Sequence, residues 1–386
     1  MQICERELCC GCSACETACP SSAITMVADA EGFLRPVVDS TKCIDCGLCQ
    51  KKCPVNYTDP SSAVAVYAAY SKDKDIRKRS SSGGIFFTIA KEVIKNGGVV
   101  FGAGFDKDMK VCHYSAENNE DLYKLMGSKY VQSDVGDAFK KIADLLKKGR
   151  EVLFSGSPCQ CAGARNLFGH HEKLILIDFV CHGVPTPKIW EKYLKDNFKG
   201  VTGASFRDKS LGWEEFSMKV ESSEGQYVCS RYKDPYIRLF LANVTLRPSC
   251  YNCSWKNPNF CADITVGDFW GVSKVDPALN DNKGTSVVVV RTEKGKKFTE
   301  ILKENCFVYE TEEKKAMGSN GMYSHSTPVN HRRKVFFEKL LADVPFEELK
   351  AEFVRTEPTS VIIKMRIKQK LKVLLGKLAK IKRKMR

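Results

Sequence analysis

The chain has 386 residues, 19 cysteines and a formal net charge of +15. Its length allows two or three domains with a core large enough to fold unaided, and its composition is that of a soluble globular protein. No apolar run approaches the ~18 residues of a membrane-spanning helix. The N-terminus, MQICERELCC, lacks the apolar segment of a secretory signal. We therefore expect a reducing, cytoplasmic compartment, where cysteines serve as metal ligands or catalytic groups more often than as disulfides.

The N-terminal region contains one cysteine spacing twice, C-x-x-C-x-x-C-x-x-x-C followed by proline. This is the spacing of bacterial ferredoxins, in which the fourth cysteine of each run ligates the other cluster. The spacing predicts one 4Fe-4S cluster held by Cys9, Cys12, Cys15 and Cys53, and a second held by Cys43, Cys46, Cys49 and Cys19. Residues 1–57 thus form a predicted two-cluster ferredoxin domain. Cys4 and Cys10 fall outside the register and are predicted not to be ligands. A zinc site or a disulfide scaffold is the alternative, but zinc usually takes paired C-x-x-C knuckles.

The main body alternates predicted strands and helices after a polar linker at residues 55–63. Predicted strands are AVAVYAAYS, VVFGAGF, KVCHYSA, EVLFSG, LILIDFVC and TSVVVV, and predicted helices are IFFTIAKEVIK, DAFKKIADLLKK and KIWEKYLKDNF. This alternation favours an α/β sheet covered by helices. FSMKVESSEGQYVCSRY has the pattern of an antiparallel hairpin, so we expect a mixed sheet, in a fold of the α/β or α+β class.

Several short segments of the body look like sites. The Ser/Gly-rich loop RSSSGGIFF opens a helix, where backbone N–H groups can bind a phosphate, although serine and glycine also make ordinary caps. GSKYVQS places Lys129 in a small-residue loop, and by itself this pattern is typical of a solvated lysine. Cys159 and Cys181 each follow a strand, at the sheet edge where open α/β folds bind ligands.

A C-x-x-C pair, Cys250 and Cys253, precedes CADITVGDFWG. Together with Cys159 and Cys181 it makes a plausible four-cysteine site, with Cys161 and Cys261 as alternative ligands. Buried free cysteines also behave as small hydrophobic residues, and that interpretation suits Cys112, Cys229 and Cys306.

Taken together, SSGGIFFTIA, GSKYVQS, LFSGSPCQCAGAR, DFVCHGVPTP, LRPSCYNC and DITVGDFWGV resemble the family of coenzyme F420 hydrogenase/dehydrogenase β-subunits, over most of residues 64–345. The resemblance implies an iron–sulfur flavoprotein domain with a flavin, FAD, and a third 4Fe-4S cluster. It implies flavin contacts at Ser82, Gly83, Gly84, Ser128 and Lys129, and cluster ligands at Cys159, Cys181, Cys250 and Cys253. The CHGVP and GDFWG versions resemble bacterial members often encoded near cell-surface polysaccharide genes, so the resemblance leaves the deazaflavin coenzyme open as a substrate.

The resemblance implies an oxidoreductase that passes electrons between the clusters, the flavin and a small organic substrate, with a ferredoxin-like or other redox protein as partner. The alternative is a non-catalytic electron-transfer subunit that serves a partner enzyme, for example in polysaccharide synthesis. A basic binding protein with structural clusters is a third possibility. The catalytic residues are unknown from the sequence. His182 could move a proton, but a hydrogen-bonding role in a turn is favoured. His325 and His331 are no better supported.

The last segment, residues 359–386, contains eleven lysines and arginines and no acidic residue, which leaves +4 for the rest of the chain. Apolar residues recur on one helical face, at positions 363, 367, 371, 374, 378, 381 and 385. A basic amphipathic helix favours a peripheral membrane contact. An acidic partner or nucleic acid is the rival, with nucleic acid not favoured, and a solvated or docked tail is the simplest alternative. Because Gly376 lies in mid-helix, we expect the helix to form only on binding.

Overall fold

The structure is a computed structural model that describes residues 2–56 and 59–385, so Met1, Arg386 and the linker residues Tyr57 and Thr58 lie outside the description. The strands are β1 (Ile24–Ala28), β2 (Leu34–Val38), β3 (Ala65–Ser71), β4 (Val99–Phe105), β5 (Val111–Ala116), β6 (Val152–Ser155), β7 (Leu174–Phe179), β8 (Gly203–Asp208), β9 (Ser217–Ser222), β10 (Gly225–Ser230), β11 (Ile264–Asp268), β12 (Ser286–Val290) and β13 (Cys306–Glu310).

Helices surround these strands. They are α1 (Ala14–Ala18), α2 (Leu48–Lys51), α3 (Lys74–Arg79), α4 (Ile85–Lys95), α5 (Asn119–Leu125), α6 (Ala138–Lys147), α7 (Pro158–Phe168), α8 (Pro187–Asn197), α9 (Pro235–Leu241), α10 (Val272–Val275), α11 (Glu293–Lys296), α12 (Thr299–Asn305), α13 (Glu313–Met317), α14 (Arg333–Leu341), α15 (Phe346–Phe353) and α16 (Thr359–Lys384). Short 3-10 turns lie at Pro54–Asn56, Pro248–Cys250, Pro277–Leu279 and Gly321–Tyr323.

The N-terminal domain is small and internally repeated. β1 and β2 pair antiparallel, and each cysteine run ends in a short helix, α1 or α2. The backbone repeats as well, because φ is positive at Gly11 and Ser13 in the first run and at Asp45 and Gly47 in the second. The doubled spacing in the sequence therefore corresponds to two loops of the same shape.

The main body is built on an eight-stranded mixed sheet of order β13-β3-β12-β11-β7-β6-β4-β5. The four strands β11, β7, β6 and β4 are parallel, and antiparallel strands extend the sheet on both sides. Helices α4, α5 and α12 cover one face, and α6 and α7 cover the other. The carboxyl ends of β6, β7 and β11 meet at one edge, which is where the predicted sites fall. The expected small ferredoxin domain followed by a mixed α/β body is confirmed.

The hairpin predicted at FSMKVESSEGQYVCSRY forms as β9 and β10, but in a separate sheet with β8. The main sheet is mixed because β12 and the edge strands β13 and β5 run antiparallel to their neighbours. The hairpin does not belong to this sheet. The small sheet packs with α8, α9, α14 and α15 in a core that also contains Phe33 of the N-terminal domain. This core extends through α15 to Phe353, beyond the predicted end of the domain at residue 345.

The N-terminal domain is fixed to the body by a buried arginine. The Arg247 side chain, with 1% of the residue exposed, donates to the carbonyl oxygens of Cys9 at 2.7 Å and Leu34 at 2.8 Å. It also donates to Gln132 Oε1 at 2.8 Å, and Gln132 donates to the Cys10 carbonyl. A Cβ on Gly11 would lie 2.8 Å from this guanidinium, so glycine allows the close approach.

Replacing Arg247 with methionine should loosen the N-terminal domain, because two buried carbonyls and an amide oxygen lose their donor. We expect a loss of roughly 2–4 kcal/mol, measured as faster amide hydrogen exchange in β1 and β2. Arg6→Met is the matched control, since the Arg6 side chain is 64% exposed and Asp29 keeps its second partner, Arg35, so this ion pair should contribute about 1 kcal/mol or less. Equal effects of the two substitutions would contradict the role of Arg247.

Candidate redox centres and cofactor cavity

The four predicted ligands of the first cluster lie close to one another. Cys9, Cys12, Cys15 and Cys53 line one small cavity, with Cys4 and Cys10 also in its wall. The Cys4 thiol hydrogen-bonds to the thiols of Cys9 and Cys53, a proximity that the spacing did not indicate. Burial and repulsion from the Cys9 and Cys53 thiolates raise the pKa of Cys15 to about 12. Gathering such thiolates is unfavourable without positive charge, so this donor set fits iron.

The second predicted set is nearer to the surface. Cys49 lies within electrostatic range of Cys19 and Cys46, so Cys19 sits with the other run, as the crossed pattern requires. The Cys19 sulfur accepts a hydrogen bond from the Ala23 N–H at 3.2 Å. Burial would raise the pKa of Cys19, but hydrogen bonds from Ser21 and backbone N–H groups outweigh it and lower the pKa. Cys46 is exposed.

The proposed third set comes from three distant segments. Cys159 lies in the first turn of α7, Cys181 follows β7, and Cys250 and Cys253 flank a turn. Electrostatic interactions connect every pair among these four thiols. Burial, followed by repulsion from Cys181, Cys159 and Cys253, raises the pKa of Cys250. In the described part of the chain, no three or more His, Cys, Asp or Glu side chains are arranged so that they could hold a single metal ion. A cubane places each thiolate on a different iron, so its ligands need not converge on one point.

The two alternative ligands are placed differently. The Cys161 thiol is buried in the core between the main sheet and helices α6 and α7. It donates to the carbonyls of Gly156 and Ile177 at 3.8 and 3.6 Å. Cys261 is buried near Cys159, but its electrostatic partners are otherwise Asp178, Arg165 and Asp59. The geometry thus favours Cys159, Cys181, Cys250 and Cys253, and the ligand set stays a prediction.

Cys10 lies between the first and third sets, a position that the sequence did not reveal. Its thiol hydrogen-bonds to the thiols of Cys12 and Cys159. One helical turn after Cys159, Gly163 packs on Cys12, and a Cβ there would lie 3.0 Å from the Cys12 sulfur. A turn of helix spans about 5.4 Å. The first and third sites are therefore close neighbours across the domain boundary.

A cavity of about 600 Å³ opens at the carboxyl edge of the main sheet, beside Cys159 and Cys181. Of the predicted flavin contacts, Ser82, Gly84, Ser128 and Lys129 line it. Gly83 does not, because it packs against the sheet, where a Cβ would lie 2.4 Å from the Ala69 carbonyl oxygen. The volume is within the range of small-molecule and cofactor sites.

The two predicted loops meet in the wall of this cavity. The Ser128 N–H donates to Ser81 Oγ at 2.7 Å, which joins the GSKYVQS loop to the Ser/Gly loop. α4 begins directly after Gly84, whose φ of 91° suits glycine. The N-terminal residues Ile85 and Phe86 also line the cavity, so the positive end of α4 faces it.

Lys129 is a partly buried lysine in the cavity wall rather than a fully solvated one. Its ammonium group donates to the Met126 carbonyl at 2.8 Å, and no carboxylate in the described chain pairs with it. Burial lowers the pKa of Lys129 to about 7. An anionic ligand in the cavity would provide the missing negative charge.

Further cavity residues were not assigned a role from the sequence. Arg207 forms a two-pronged ion pair with Asp268, at 2.7 and 3.0 Å, and its guanidinium lies over the Phe216 ring. Trp270 and Arg231 lie beside them in the wall. These side chains come from β8, the residue before β9, the loop after β10 and the carboxyl end of β11, and only the tertiary fold brings them together.

Two histidines face the cavity. Nε2 of His182 lies 2.7 Å from Asn243 Oδ1, and burial lowers its pKa, so it fits the hydrogen-bonding role that the sequence favoured. His113, within β5, was not indicated as a site residue. It lies against Phe154, and burial lowers its pKa to about 4. His325 and His331 are exposed and do not line this cavity.

Comparison with known proteins gives matches along most of the chain. Residues 66–140 match the model of the N-terminal part of the coenzyme F420 hydrogenase/dehydrogenase beta subunit, and residues 149–315 match the model of its C terminus. Residues 8–57 match a 4Fe-4S dicluster domain. The chain belongs to the family of coenzyme F420 hydrogenase/dehydrogenase beta subunits. The resemblance seen in its motifs is thereby confirmed, and it is an iron–sulfur member of an oxidoreductase family.

Curated relatives of this family member are named as an oxidoreductase or as a subunit of one. It is 25% identical over 334 residues to a subunit of the F(420)H(2) dehydrogenase of Methanosarcina mazei, covering 80% of this chain and 86% of the relative. It is 27% identical over 335 residues to the coenzyme F420-dependent sulfite reductase of Methanocaldococcus jannaschii, covering 81% of this chain but only 49% of that relative.

A solved structure is also similar to this family member. A chain of the F420-reducing NiFe hydrogenase complex from Methanosarcina barkeri aligns with a TM-score of 0.48 at 20% identity, covering 76% of this chain and 94% of that one.

Cys159 and Cys161 offer a matched pair of substitutions for the third site. Cys159→Ala should lose about a third of the iron of the anaerobically purified protein, since one of three four-iron clusters would lack a ligand. Cys161→Ala should keep its iron, because its thiol faces away. Iron and sulfide analysis measures both. Full iron in Cys159→Ala, or an equal loss in Cys161→Ala, would contradict the assignment.

Proposed function

We propose that the protein is an iron–sulfur flavoprotein oxidoreductase, which passes electrons between a redox protein partner and a small organic substrate. The observation that carries the proposal is the continuous arrangement of three cysteine sets and one cavity. The set around Cys49 lies outermost, the set around Cys9 follows, and Cys10 connects that set to Cys159. Cys159 in turn lines the cavity. Clusters would carry single electrons, and a flavin would couple them to two-electron chemistry on the substrate.

The cavity fits FAD better than a smaller ligand. Its volume, the N-terminus of α4 and the uncompensated charge of Lys129 suit a pyrophosphate. Trp270 offers aromatic surface for a planar ring, and Arg207, whose guanidinium covers the Phe216 ring, is held in place by Asp268. The residues of this chain would thus hold the phosphates at one end of the cavity and the ring near Cys159 and Cys181.

The second cysteine set, at the outer end of the proposed electron path, is accessible to a protein partner. Cys46 is exposed, and the neighbouring apolar side chains Ile44 and Leu48 are 66% and 37% exposed. Exposed apolar residues beside a redox site suit a transient contact. We propose that a ferredoxin-like protein docks here, near the set formed by Cys43, Cys46, Cys49 and Cys19.

Electron transfer can be tested on the anaerobically purified protein loaded with FAD. We expect about three 4Fe-4S clusters and one flavin per chain. Reduced ferredoxin should bleach the flavin absorbance at about 450 nm through the clusters. In Cys159→Ala the reduction by ferredoxin should slow at least about tenfold, whereas dithionite should still bleach the flavin. A chain that holds clusters but no flavin would refute the flavoprotein proposal.

The same preparation separates the enzyme from the alternative of a non-catalytic subunit, such as one that serves polysaccharide synthesis. Hydride donors, namely NADH, NADPH and the reduced deazaflavin coenzyme, are added to the FAD-loaded protein without any partner. Direct bleaching by one of them supports the enzyme. Bleaching only by ferredoxin supports the alternative.

The pKa of Lys129 gives a pH signature for FAD binding. Because this pKa is about 7, the side chain is mainly charged below pH 7 and mainly neutral above it. A bound phosphate favours the charged form, so affinity for FAD should fall as the pH rises above about 7, by up to about tenfold per pH unit. Calorimetric titration with FAD from pH 6 to pH 9 measures this slope.

Lys129→Met should bind FAD with little pH dependence above pH 7 and about tenfold or more weakly at pH 6. The matched control is Lys124→Met, because Lys124 is exposed on α5 and pairs with Asp121 at 2.8 Å. It should behave like the unsubstituted protein. An unchanged pH slope in Lys129→Met would show that this lysine does not contact the ligand.

A further inference from the structure

The C-terminal helix α16 is fully formed and docked on the body, contrary to the expectation that it forms only on binding. It spans 26 residues, or about 39 Å. Four of its basic side chains pair with acidic residues of the body: Arg366 with Glu215 at 2.7 Å, Lys372 with Glu214 at 2.9 Å, Arg383 with Asp276 at 2.5 Å, and Lys380 with Asp281 at 4.0 Å. The polar side of the helix therefore faces the protein.

Close packing fixes which side is turned inward. A Cβ on Gly376 would lie 2.6 Å from the carbonyl oxygens of Pro277 and Asn280. Gln369, which is 8% exposed, donates to Asn282 Oδ1 at 2.6 Å. Glycine in mid-helix thus permits contact with the body, and the centre of the docked face runs through Gln369 and Gly376.

The apolar face points in the opposite direction. Leu371 lies two residues from Gln369, and Leu374 and Leu378 lie two residues from Gly376. That spacing is about 200° around a helix. The side chains of this outward face are all about half exposed, at 49% to 56%, and they are Ile363, Ile367, Leu371, Leu374, Leu378 and Ile381. A soluble helix normally buries such a face. Here the helix is docked with its apolar face to the outside.

Lysines border this face on both sides. By the same helical geometry, Lys364, Lys368 and Lys382 fall along one border, and Lys370 and Lys377 along the other. The sequence of residues 359–386 has no acidic residue. A second copy of the helix would bring lysines against lysines, whereas an anionic surface with an apolar interior matches both features. No helix in the described chain is long and apolar enough to cross a membrane.

We propose that the outward face of α16 binds the surface of an anionic lipid bilayer, with the helix axis parallel to the membrane. The apolar side chains enter the boundary between headgroups and acyl chains, and the bordering lysines contact anionic headgroups. The ion pairs to Glu214, Glu215 and Asp276 hold the body on the other side of the helix, so they fix how the protein is oriented on the membrane.

Vesicle flotation of the full-length, cluster-loaded protein tests this surface. The probes are vesicles of phosphatidylcholine alone and vesicles with 30% phosphatidylserine (about one anionic lipid in three) at about 0.15 M salt. We expect flotation with the anionic vesicles and little with the neutral ones. The double variant Leu371→Asp, Leu378→Asp should reduce the floated fraction at least about tenfold. Val329→Asp is the matched control, since Val329 is 67% exposed and outside α16.

Circular dichroism and iron content should be unchanged in all variants, because these side chains do not support the fold. Failure of the unsubstituted protein to float with anionic vesicles would overturn the proposal. A chain that is dimeric in sedimentation, and becomes monomeric in the double variant without lipid, would overturn it in favour of self-association. Flotation is independent of the flavin assay, so either result stands whatever the redox tests give.

Discussion

The structure depends on how the N-terminal domain is held against the body, and Arg247 is central to that contact. Its guanidinium is buried and bonds the carbonyls of Cys9 and Leu34 together with Gln132. A buried cation is costly unless every donor finds an acceptor. The interaction therefore specifies one docking geometry. That geometry brings the first cysteine set beside α7 and so beside Cys159.

Short separation is the main physical requirement of an electron path, and the fold provides it through helix α7. Cys159 at its start faces the cavity, while Gly163, one turn later, contacts Cys12. Cys10 fills the space between them. A cysteine outside the ferredoxin spacing thus lies at the junction of the two domains. Its position gives it a packing role at the boundary between the domains.

The cavity and the C-terminal helix differ in how their charged residues are arranged. The cavity gathers cations, of which Lys129 is partly buried and has no carboxylate partner among the described residues, whereas Arg207 is paired with Asp268. The opposite arrangement holds at α16, where acidic residues such as Glu215 bind the helix and leave its lysine-bordered apolar face outside. One region is suited to a small anionic ligand and the other to an extended anionic surface.

Sequence alone determined what depends on local spacing. The repeated cysteine runs, the alternation of strands and helices, and the motifs around Cys159 and Cys181 predicted the domain order, the α/β class and the family, because these patterns are continuous in the chain. Tertiary structure decided what depends on distant segments meeting. It joined Ser81 to Ser128, placed Lys129 in the cavity wall, placed Cys10 between two sites and turned the apolar face of α16 outward. No local pattern encodes these contacts, since each depends on the packing of elements far apart in the sequence.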